Sequence, residues 1–557
     1  MTGTTEPIPL TVITGFMGTG KTAAGRVVAE MLGVEFVDTD QLIEEREGLS
    51  VADIFATKGE AHFRRCESEL CGSLADQTDL VVATGGGTLV DPQNLALLSD
   101  RGRVVLLEAS VDAIMQRVSG DGSRPLLTGD PAGTDPACSV EDRIRTLLAD
   151  RREAYSKIPF RVDTTRISAR TAACRIAAGL SIPEGTITID VPEGSMRAGR
   201  SESTIVTGRG VLSRLGERLK RALDDSCRES KVFVLIPPNV ADLHLDQIAA
   251  SLDAASIEWT EIALQDGDKE KSFDQAGRIV DTLAKRGAAR DSIAIAMGGG
   301  VTGDLGGFAA SIYMRGMTFV QVPTTLLAQV DASIGGKVGV NHTRAKNLLG
   351  NFYQPHLVLS DPCVLRTLDD REIANGMAEV VKTALLGSAD LFRFIEKELE
   401  RSSRAPRQTA FLERCVLECA AIKAAIVERD PFEGGERRVL NLGHTLGHAF
   451  ETLGEYGSLS HGQAVSIGMV AVAKIARGRA LVDDDYVRRL STTLERCGLP
   501  IAPPAVEPKA FFDALNLDKK KKAGRLRFVL PAGFGATVIV DDVTVNEIEE
   551  AANLARP

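Results

Sequence analysis

The sequence predicts an α/β protein in which a P-loop domain with a parallel sheet is followed by a second α/β domain and a mostly α-helical domain. Short β-rich segments alternate with helical segments over residues 10–165 and again up to about residue 360, as they do in parallel sheets with crossover helices. Residues 369–500 contain few strand-like runs and predict helices. A chain of 557 residues is also too long for one hydrophobic core. The predicted boundaries are a P-loop domain at 1–170, a linker at 171–186, an α/β domain at 187–365 and a helical domain at 366–557.

The individual elements can be assigned in chain order. An apolar strand is predicted over residues 10–14 (LTVIT), and a helix over residues 23–32 follows the glycine-rich sequence after it. Three more β-rich runs complete the first sheet, at 34–37, 80–83 and 104–107. The segment 182–186 (IPEGT) interrupts the alternation with Pro and Gly, which places the linker there. Two further strands are predicted after it, at 186–191 and 203–207.

Composition and charge argue against several classes of protein. Asp and Glu (76) outnumber Lys and Arg (65), and the net charge of −11 disfavours a general nucleic-acid binder. The longest apolar stretch, residues 464–475, is too short to span a bilayer and contains Lys474. The N-terminus has no signal-peptide pattern, and the nine Cys show no paired spacing. We therefore expect a cytoplasmic protein with small-molecule substrates and with neither a membrane nor a nucleic-acid partner.

Residues 15–22 (GFMGTGKT) form a P-loop motif between the first strand and the first helix. Backbone N–H groups of such a loop can cradle phosphates, Lys21 can reach the β- and γ-phosphates, and Thr22 can bind Mg²⁺. The motif therefore predicts ATP with Mg²⁺. The predicted nucleotide contacts are Gly18, Thr19, Gly20, Lys21, Thr22 and Ala23.

The residues that follow indicate the phosphate acceptor. Asp38 and Asp40 come after the second strand, where one carboxylate can hold Mg²⁺ through water and the other can take a substrate hydroxyl. Arg64 offers a guanidinium for a carboxylate, which it can bind in a bidentate manner. Residues 83–87 (ATGGG) end a strand and permit close approach to the backbone, and Arg124 lies in a Gly- and Asp-rich region that suits a mobile lid.

In this order the residues resemble shikimate kinase across residues 8–168. The resemblance implies phosphorylation of shikimate by Mg²⁺-ATP, with Asp38 and Thr22 at the metal and Arg124 closing over ATP. It assigns shikimate to Asp40, Arg64, Gly86 and Arg151, with the neighbouring Arg152 as an alternative to Arg151. The catalytic residues implied are Lys21, Asp40 and Arg124. A nucleotide-binding regulator without catalysis is the alternative, which the intact Lys21, Thr22, Asp38 and Asp40 disfavour.

In the C-terminal half, residues 441–448 (NLGHTLGH) predict a metal site. His444 and His448 lie one helical turn apart and can share a helix face. Together with His461 and Glu379 they can supply a His2Glu set, which is typical of open catalytic zinc sites. Three of the seven histidines of the chain lie in this cluster, so an isolated core histidine is the weaker interpretation. The spacing alone leaves open which of the four residues is not a ligand.

A dinucleotide and a dianionic substrate are indicated by the surrounding sequence. The glycine-rich segment 296–304 (AMGGGVTGD) follows an apolar run, as at a pyrophosphate-binding turn, and Asp268 can take ribose hydroxyls. Basic residues in Gly-rich or polar motifs suggest a substrate with separate phosphate and carboxylate groups. They are Lys337, Lys346, Lys382, Lys423, Arg437 and Lys519.

These features resemble 3-dehydroquinate synthase over residues 187–557. The motifs that carry the resemblance are 298–304 (GGGVTGD), 313–316 (YMRG), 321–325 (QVPTT), 331–337 (DASIGGK), 346–347 (KN), 375–382 (NGMAEVVK), 441–448, 461–462 (HG) and 518–520 (DKK). The resemblance implies conversion of 3-deoxy-D-arabino-heptulosonate 7-phosphate to 3-dehydroquinate and phosphate. NAD and Zn²⁺ (or Co²⁺) would be the cofactors, and the enzyme would be a homodimer through its C-terminal half.

The same resemblance implies a role for each residue. Glu379, His444 and His461 would ligate the metal, and His448 would carry a proton or contact phosphate. The NAD contacts would be Asp266, Gly267, Asp268, Lys271, Gly300, Val301, Thr302, Gly303, Asp304, Thr324, Thr325, Lys337, Lys346 and Thr367. Phosphate would be held by Lys337, Asn347 and Lys519, with Arg315 reaching across the dimer, and the carboxylate by Lys423 and Arg437. Asp331, Lys382 and Asn441 would line the reacting ring, with Asp331, Lys337, Lys382 and His448 as the catalytic residues.

Two alternatives remain for this half. Another sugar-phosphate cyclase, such as one that makes a cyclitol from sedoheptulose 7-phosphate, would share the NAD and metal sites. Lys423 and Arg437 favour a substrate with a carboxylate instead. The basic run 519–522 can also be interpreted as a nucleic-acid patch, which the acidity of the chain disfavours.

Overall fold

The computed structural model of the chain describes residues 7–118, 139–165, 169, 172–173, 176–177, 180, 185–190, 202–222, 230–265, 267–343, 345–453, 459–521 and 526–554, and not the side chains of 185–190 and 516–521. The chain divides into two compact units. The first comprises Met1–Pro183 with the short segments Leu212–Gly216 and Asp246–Ala255, and the second comprises the remainder.

In the first unit the described strands form a parallel sheet with the order β2-β3-β1-β4-β5. The strands are β1 (Leu10–Gly15), β2 (Glu35–Asp38), β3 (Leu80–Ala83), β4 (Gly102–Glu108) and β5 (Arg161–Asp163). All residues of β1 and β3 are buried, since helices cover both faces of a parallel sheet. The helices are α1 (Lys21–Leu32), α2 (Thr39–Glu47), α3 (Val51–Lys58), α4 (Glu60–Leu74), α5 (Pro92–Arg101), α6 (Val111–Val118) and α7 (Val140–Ser156).

Neighbouring residues of β1 pack on opposite faces of this sheet. Ile13 belongs to the same buried cluster as Val28 of α1, whereas Val12 belongs to a cluster that contains Leu98 of α5. Full burial of such a side chain contributes about 1.5–3 kcal/mol. The two apolar layers therefore hold the carboxyl edge of the sheet in place, and the P-loop begins at that edge.

The turn between β1 and α1 depends on glycine. Gly18 and Gly20 have φ values of +77° and +88°, which residues with a side chain rarely adopt. Gly15 has no room for a side chain, because a Cβ there would lie 2.2 Å from the carbonyl oxygen of Leu107. The glycines thus allow the loop to curl over the sheet edge and lead into the N-terminus of α1.

The described strands of the second unit form a larger sheet with the order β6-β7-β14-β11-β10-β8-β9, which is parallel apart from its β6–β7 pair. The strands are β6 (Gly185–Asp190), β7 (Glu202–Thr207), β8 (Val232–Ile236), β9 (Trp259–Ala263), β10 (Ile293–Gly298), β11 (Thr318–Pro323) and β14 (Leu357–Ser360). Two antiparallel hairpins accompany it, β12 (Lys337–His342) with β13 (Ala345–Phe352) and β15 (Phe528–Pro531) with β16 (Thr537–Val540). The helices that lie between these strands in the chain are α8 (Leu215–Ala222), α9 (Pro238–Ala254), α10 (Phe273–Lys285) and α11 (Gly300–Ile312). The start of α8 and the C-terminal half of α9 belong to the first unit.

The C-terminal part of the second unit is a helical layer. Its helices are α12 (Asp370–Gly387), α13 (Ala389–Arg401), α14 (Thr409–Arg429), α15 (His444–Leu453), α16 (His461–Gly478), α17 (Asp484–Arg496), α18 (Pro508–Lys521) and α19 (Val545–Ala551). Every residue of α12 from Asn375 to Leu386 is buried, so that helix forms the centre of the layer. Among the helices described here, none has the length and apolarity to cross a membrane.

The predicted fold class is confirmed in both of its α/β parts and in its helical part. The strand predicted at 80–83 matches β3, and those predicted at 10–14, 34–37 and 104–107 differ from β1, β2 and β4 by one or two residues at their ends. The second unit contains both the sheet and the helical layer, and the boundaries at 170, 186 and 365 stay predictions.

Candidate active sites

The phosphate-binding loop brings a hydroxyl and a carboxylate together. Thr22, in the first turn of α1, donates its hydroxyl to Oδ2 of Asp38 at the end of β2, with an oxygen–oxygen distance of 2.7 Å. The ammonium of Lys21 lies 3.2 Å from the carbonyl oxygen of Phe16 and is thus folded over the loop. Oxygen ligands of this kind suit Mg²⁺. The remaining predicted nucleotide contacts, Gly18, Thr19, Gly20 and Ala23, form the loop and the start of α1.

Asp40 is a buried carboxylate beside this loop. Its Oδ1 atom has no hydrogen-bond partner within the described part of the chain. Burial raises the pKa of Asp40 to about 6, with Asp38 adding to the increase and the ammonium of Lys21 opposing it. A carboxylate with a pKa in that range can accept a proton from a substrate hydroxyl near neutral pH.

Arg64 on α4 is held by two carboxylates. Its Nη1 atom donates to Glu67 at 2.6 Å and its Nη2 atom donates to Glu60 at 2.9 Å. Glu67 is buried and also accepts the hydroxyl of Thr88 at 2.5 Å. The guanidinium is therefore fixed beside Gly87, where a Cβ would lie 2.4 Å from it. No role was predicted for Glu67, although its i, i+3 spacing from Arg64 is a signal for such a pair.

Of the two adjacent arginines, the buried one faces the loop. Arg151 is 7% exposed, donates to the carbonyl oxygen of Gly86 at 2.8 Å and lies over the Phe16 ring at 5.1 Å. The hydroxyl of Tyr155 donates to the same carbonyl at 2.9 Å. Arg152 is exposed. The structure thus brings Arg151 to the glycine-rich end of β3.

A further arginine contacts the P-loop. Arg117, at the end of α6, lies with Nη1 at 3.2 Å from the carbonyl oxygen of Gly18 and donates through Nη2 to that of Thr164 at 2.6 Å. No motif marked this residue in the sequence. The predicted lid residue Arg124 lies outside the described residues.

In the second unit, the glycine-rich turn after β10 leads directly into α11. Gly299 is the N-cap of that helix, and the first turn contains Gly300, Val301, Thr302 and Gly303. The backbone N–H of Thr324, just after the neighbouring strand β11, donates to the carbonyl of Gly298 at 2.9 Å. Parallel strands thus place the helix N-terminus beside Thr324 and Thr325. Free N–H groups at a helix N-terminus suit a pyrophosphate.

A buried lysine organises the same edge of the sheet. The ammonium of Lys271 donates to Oδ2 of Asp304 and to Oδ1 of Asn347, both at 2.5 Å. Burial raises the pKa of Asp304, and Lys271 opposes that increase. Asn341, which sequence reasoning missed, accepts the backbone N–H of Asn347 at 3.0 Å and lies with Nδ2 3.2 Å from the carbonyl of Asp268. Asp268 itself begins a short 3₁₀ turn, Asp268–Glu270, after Gly267.

Three predicted metal ligands converge in the helical layer. Glu379 lies in the buried part of α12, while His444 begins α15 and His461 begins α16. Oε1 of Glu379 is 3.6 Å from Nε2 of His444 and 3.4 Å from Nε2 of His461. Both carboxylate oxygens lack a hydrogen-bond partner among the described residues, although Lys382 forms an ion pair with Oε2. A buried carboxylate facing two imidazole nitrogens fits a metal ion.

The histidine ring orientations agree with this arrangement. Nδ1 of His444 lies 3.2 Å from the carbonyl oxygen of Leu442, so an N–H there leaves the Nε2 lone pair directed at Glu379. Burial lowers the pKa of His444 to about 3, which keeps the imidazole in the neutral form that a metal requires. Burial opposes a charge on His461 too, but Glu379 and Glu451 raise its pKa to about 9. A metal ion at Nε2 would replace that proton.

Glycines set the spacing of the two helices that supply these histidines. A Cβ on Gly468 of α16 would lie 2.0 Å from the carbonyl oxygen of Gly443, and one on Gly447 of α15 would lie 2.8 Å from the carbonyl oxygen of Ala464. The two helices can therefore pack with their backbones nearly in contact. With the helices packed this closely, the ring centroids of His444 and His461 lie 5.2 Å apart.

His448 belongs to a second, overlapping group. Its ring centroid is 5.3 Å from that of His444 and 6.2 Å from that of His461. Candidate ligand atoms of His448, Glu451 and His461 also lie within 4.8 Å of one another. The geometry thus leaves both ligand schemes possible, and the assignment of His448 to proton transfer stays a prediction.

Two buried cations lie close to one carboxylate. Asp331, in a π-helical turn (Ala328–Ala332), accepts the ammonium of Lys423 at 2.7 Å. Burial lowers the pKa of Lys423 to about 8, with Asp331 opposing the decrease. Arg437 is 1% exposed and donates to the carbonyls of Gly335 at 2.9 Å and Pro431 at 2.6 Å. Its Nε atom has no hydrogen-bond partner among the residues described.

A glutamate bridges two other predicted substrate contacts. Oε2 of Glu433 lies 2.6 Å from the ammonium of Lys337, and Oε1 accepts from Asn441 at 3.1 Å. Glu433 has φ +59°, and sequence reasoning missed it. Glu433 holds the ammonium of Lys337 in place. A substrate anion would compete with the Glu433 carboxylate for this ammonium.

Four predicted residues remain, of which two lie in short turns or helices and two have side chains that the structure does not describe. Arg315 is exposed in a tight turn in which it and Met314 have φ values of +66° and +47°. Thr367 ends a 3₁₀ helix, and its hydroxyl donates to the carbonyl of Val364 at 2.8 Å. Asp266 and the side chain of Lys519 lie outside the described residues.

Comparison with known proteins assigns both halves. Residues 17–180 match the family model for shikimate kinase, and residues 261–375 and 376–521 match those for the N-terminal and C-terminal parts of 3-dehydroquinate synthase. The 3-dehydroquinate synthase of Pelobacter propionicus is 42% identical over 344 residues, which are 62% of this chain and 94% of that protein.

Solved structures agree for the second half. The 2-epi-5-epi-valiolone synthase ValA of Streptomyces hygroscopicus, with NAD⁺ and Zn²⁺ bound, is 31% identical with a TM-score of 0.55 over 58% of this chain and 90% of its own. A 2-deoxy-scyllo-inosose synthase with carbaglucose-6-phosphate, NAD⁺ and Co²⁺ is 26% identical with a TM-score of 0.57 over 66% of this chain and 99% of its own. The chain therefore belongs to the 3-dehydroquinate synthase family and carries a shikimate kinase domain in its N-terminal half.

Proposed function

We propose that this bifunctional chain catalyses two reactions of aromatic biosynthesis. The first unit would transfer the γ-phosphate of Mg²⁺-ATP to shikimate. The second would convert 3-deoxy-D-arabino-heptulosonate 7-phosphate to 3-dehydroquinate and phosphate, with NAD and Zn²⁺ or Co²⁺ as cofactors. The observation that supports the second reaction most strongly is the buried Glu379 carboxylate facing Nε2 of His444 and of His461, beside a carboxylate and two buried cations.

For the kinase, the chain contributes positioning and charge. Lys21 and the loop N–H groups would hold the phosphates, and Thr22 with Asp38 would hold Mg²⁺. Arg64 and Arg151 would bind the shikimate carboxylate. Asp40 would then orient the acceptor hydroxyl toward the γ-phosphate and take its proton, which its pKa of about 6 permits near neutral pH.

For the synthase, Glu379, His444 and His461 would hold the metal ion, since two imidazoles and a carboxylate suit Zn²⁺ and Co²⁺. The first turn of α11, Thr324 and Asp268 would hold NAD. When bound, these two cofactors allow transient oxidation of a substrate carbinol to a ketone whose oxygen is polarised, which acidifies the neighbouring C–H so that phosphate can leave.

The other residues of the synthase site would position the substrate. Lys337, Asn347 and Lys519 would bind the phosphate, and Lys423 and Arg437 would bind the carboxylate. Asp331 and Lys382 would face the ring, and His448 would carry a proton. These residues would hold the substrate in its reactive orientation before the reaction begins. Proximity and orientation would then account for much of the decrease in activation free energy.

The closest competing function is that of another sugar-phosphate cyclase, since ValA is a 2-epi-5-epi-valiolone synthase with 31% identity. The buried Lys423 and Arg437 favour the heptulosonate, because two buried cations suit a substrate that carries a carboxylate. We propose also that the enzyme is cytoplasmic and dimeric through its second unit. The free state of the cysteines that the structure describes supports a reducing compartment.

Release of phosphate from the two candidate sugar phosphates tests this assignment. The chain should release phosphate from the heptulosonate phosphate only with NAD⁺ and metal present, and chelator should stop it. Sedoheptulose 7-phosphate should react far more slowly. The opposite preference would reassign the second unit to another cyclase. For the first unit, ADP formation from ATP should depend on shikimate, and its absence would favour a regulatory role.

A further inference from the structure

A second cluster of metal-ligating side chains lies in the first unit, among residues that the proposed phosphoryl transfer does not use. Glu47 ends α2, whereas His62 and Cys66 are four residues apart on α4 and share one face of that helix. Cys66 is buried, and the other two side chains are half-buried. One candidate ligand atom from each residue lies within 4.8 Å of the others.

The spacings between the donor atoms match those around a tetrahedral ion. Sγ of Cys66 lies 3.6 Å from Nε2 of His62 and 3.7 Å from Oε1 of Glu47. Zinc bonds of about 2.3 Å to sulfur and about 2.1 Å to nitrogen or oxygen, at tetrahedral angles, place sulfur about 3.6 Å from either other ligand. Both distances from the Cys66 sulfur therefore already have the length that a tetrahedral zinc ion requires. Nε2 of His62 also lies 3.0 Å from the other carboxylate oxygen of Glu47, Oε2, a contact that an ion bound to Nε2 would replace.

A hydrogen-bonded group without a metal is the ordinary alternative. Burial raises the pKa of the Cys66 thiol and Glu47 raises it further, so the thiol can donate to Glu47. Lys58 also lies 2.6 Å from Oε2 of Glu47. An ion is favoured because a sulfur, an imidazole and a carboxylate converge on one point, and this set suits zinc rather than magnesium. Among the described residues, the other groups with such geometry belong to the synthase centre.

We propose that Glu47, His62 and Cys66 form a second metal site that binds Zn²⁺ or another thiophilic divalent cation, with an open fourth position. On binding, the Cys66 thiol loses its proton to solvent and its sulfur bonds to the ion. Glu47 ligates through Oε1, while its Oε2 keeps the contact with Lys58.

The site joins the two helices that carry shikimate-facing groups. Asp40 lies in the first turn of α2, and Arg64 lies between His62 and Cys66 on α4. A bound ion fixes the distance between these helices, so we expect the KM for shikimate to fall when the site is filled. This last consequence, unlike the metal site itself, rests on the proposed kinase function.

Cobalt titration of the full chain tests the site. A thiolate bound to Co²⁺ absorbs in the near ultraviolet, whereas the proposed synthase ligands are nitrogen and oxygen only, so the band reports a cysteine ligand and the variants identify which cysteine it is. We expect the metal-stripped protein to develop this band with one Co²⁺ per chain and to lose it when Zn²⁺ is added. Cys66→Ser should abolish the band. Cys71→Ala, a matched change of another buried cysteine on α4, should keep it.

His62→Ala and Glu47→Gln provide the second measurement, because both retain the sulfur. Each should weaken Co²⁺ binding more than about tenfold, since even the loss of an outer-shell partner costs about 10–100-fold. Absence of the band in the native chain, or its persistence in Cys66→Ser, would show that the cluster is only a hydrogen-bonded thiol. Neither result depends on kinase or synthase turnover. A failure of the metal site can therefore be distinguished from a failure of the proposed function.

Discussion

The ammonium of Lys346 lies 3.1 Å from Oε1 of Glu451, and this ion pair connects a predicted NAD contact with a neighbour of the predicted metal ligand His461. Lys346 also lies 3.3 Å from Oδ2 of Asp268, and Oε2 of Glu451 lies 3.9 Å from Nδ1 of His461. Glu451 is thus placed to orient a predicted metal ligand and a predicted NAD contact at once.

Glu451→Gln should therefore weaken both cofactor sites. We expect metal affinity to fall about 10–100-fold, as it does when a partner of a ligating histidine is removed, and the KM for NAD to rise. Equilibrium dialysis of Zn²⁺ and initial rates at varied NAD measure the two effects. Glu428→Gln, at an exposed position on α14, is the control. An effect on kcat alone, with both affinities unchanged, would contradict the positioning role.

His444 and His448 should respond differently to removal. His444→Ala should lose bound zinc and synthase activity together, because one of three protein ligands is missing. His448→Ala should keep its zinc and lose about 10²–10⁴ in rate, the usual contribution of a general acid–base group. Metal analysis of the purified variants decides the matter. Equal zinc depletion in both would show that His448 is a ligand and that Glu379 or His461 is not.

Lys21→Ala should abolish shikimate phosphorylation and leave the synthase reaction near normal. Lys21 supplies the charge on the β- and γ-phosphates, and it lies in a different compact unit from the metal centre. ADP release and phosphate release from the same preparation measure the two activities. The reciprocal control is His444→Ala, which should retain kinase activity. Kinase activity of Lys21→Ala near the native level would remove the P-loop from the mechanism.

The synthase reaction should weaken above about pH 8 as Lys423 loses its charge. Its pKa is lowered to about 8 by burial, while Asp331 opposes the shift and Arg437 and Lys382 add to it. Because a lysine is charged below its pKa, kcat/KM should be highest below pH 8 and fall as pH rises. Lys423→Arg should flatten this alkaline limb, since arginine stays charged. An unchanged limb in that variant would assign the titration to another group.

The chain should be at least a dimer, with Arg315 acting across the interface. The residue is exposed in a turn with left-handed backbone angles at Met314 and Arg315, so its side chain is accessible to a second chain. Sedimentation at low concentration should give the mass of two chains, and Arg315→Ala should raise the KM for the sugar phosphate. A fully active monomer would contradict this prediction.

Local sequence was enough to locate the elements and the site residues that lie in motifs. The P-loop, the strand ends at Asp38 and Gly298, and the His444–His448 spacing are encoded within a few residues, because turns, caps and helix faces depend on near neighbours. The residues alone indicated a His2Glu set, but only the family resemblance selected His444, His461 and Glu379 as its members. The structure adds the distances and burial that a motif does not contain.

Residues that support the sites from a distance could not be found in this way. Glu433 contacts Lys337 across 96 positions, and Lys346 contacts Glu451 across 105. Neither pair has a helical or strand spacing, since tertiary packing alone brings the partners together. Glu47 similarly meets His62 and Cys66 through the packing of α2 against α4, so no local sequence pattern contains all three residues.

The near contact between the backbones at Gly443 and Gly468 has a consequence for ion selectivity. His461 and Gly468 lie on α16, and Gly443 directly precedes His444. The separation of the two predicted histidine ligands therefore depends on a backbone crossing seven residues from His461. A single methyl group at Gly468 would act as a wedge and widen the opening between the imidazoles. We therefore expect the cation radius that the predicted site accepts to depend on the absence of a side chain at Gly468 as well as on the ligands themselves.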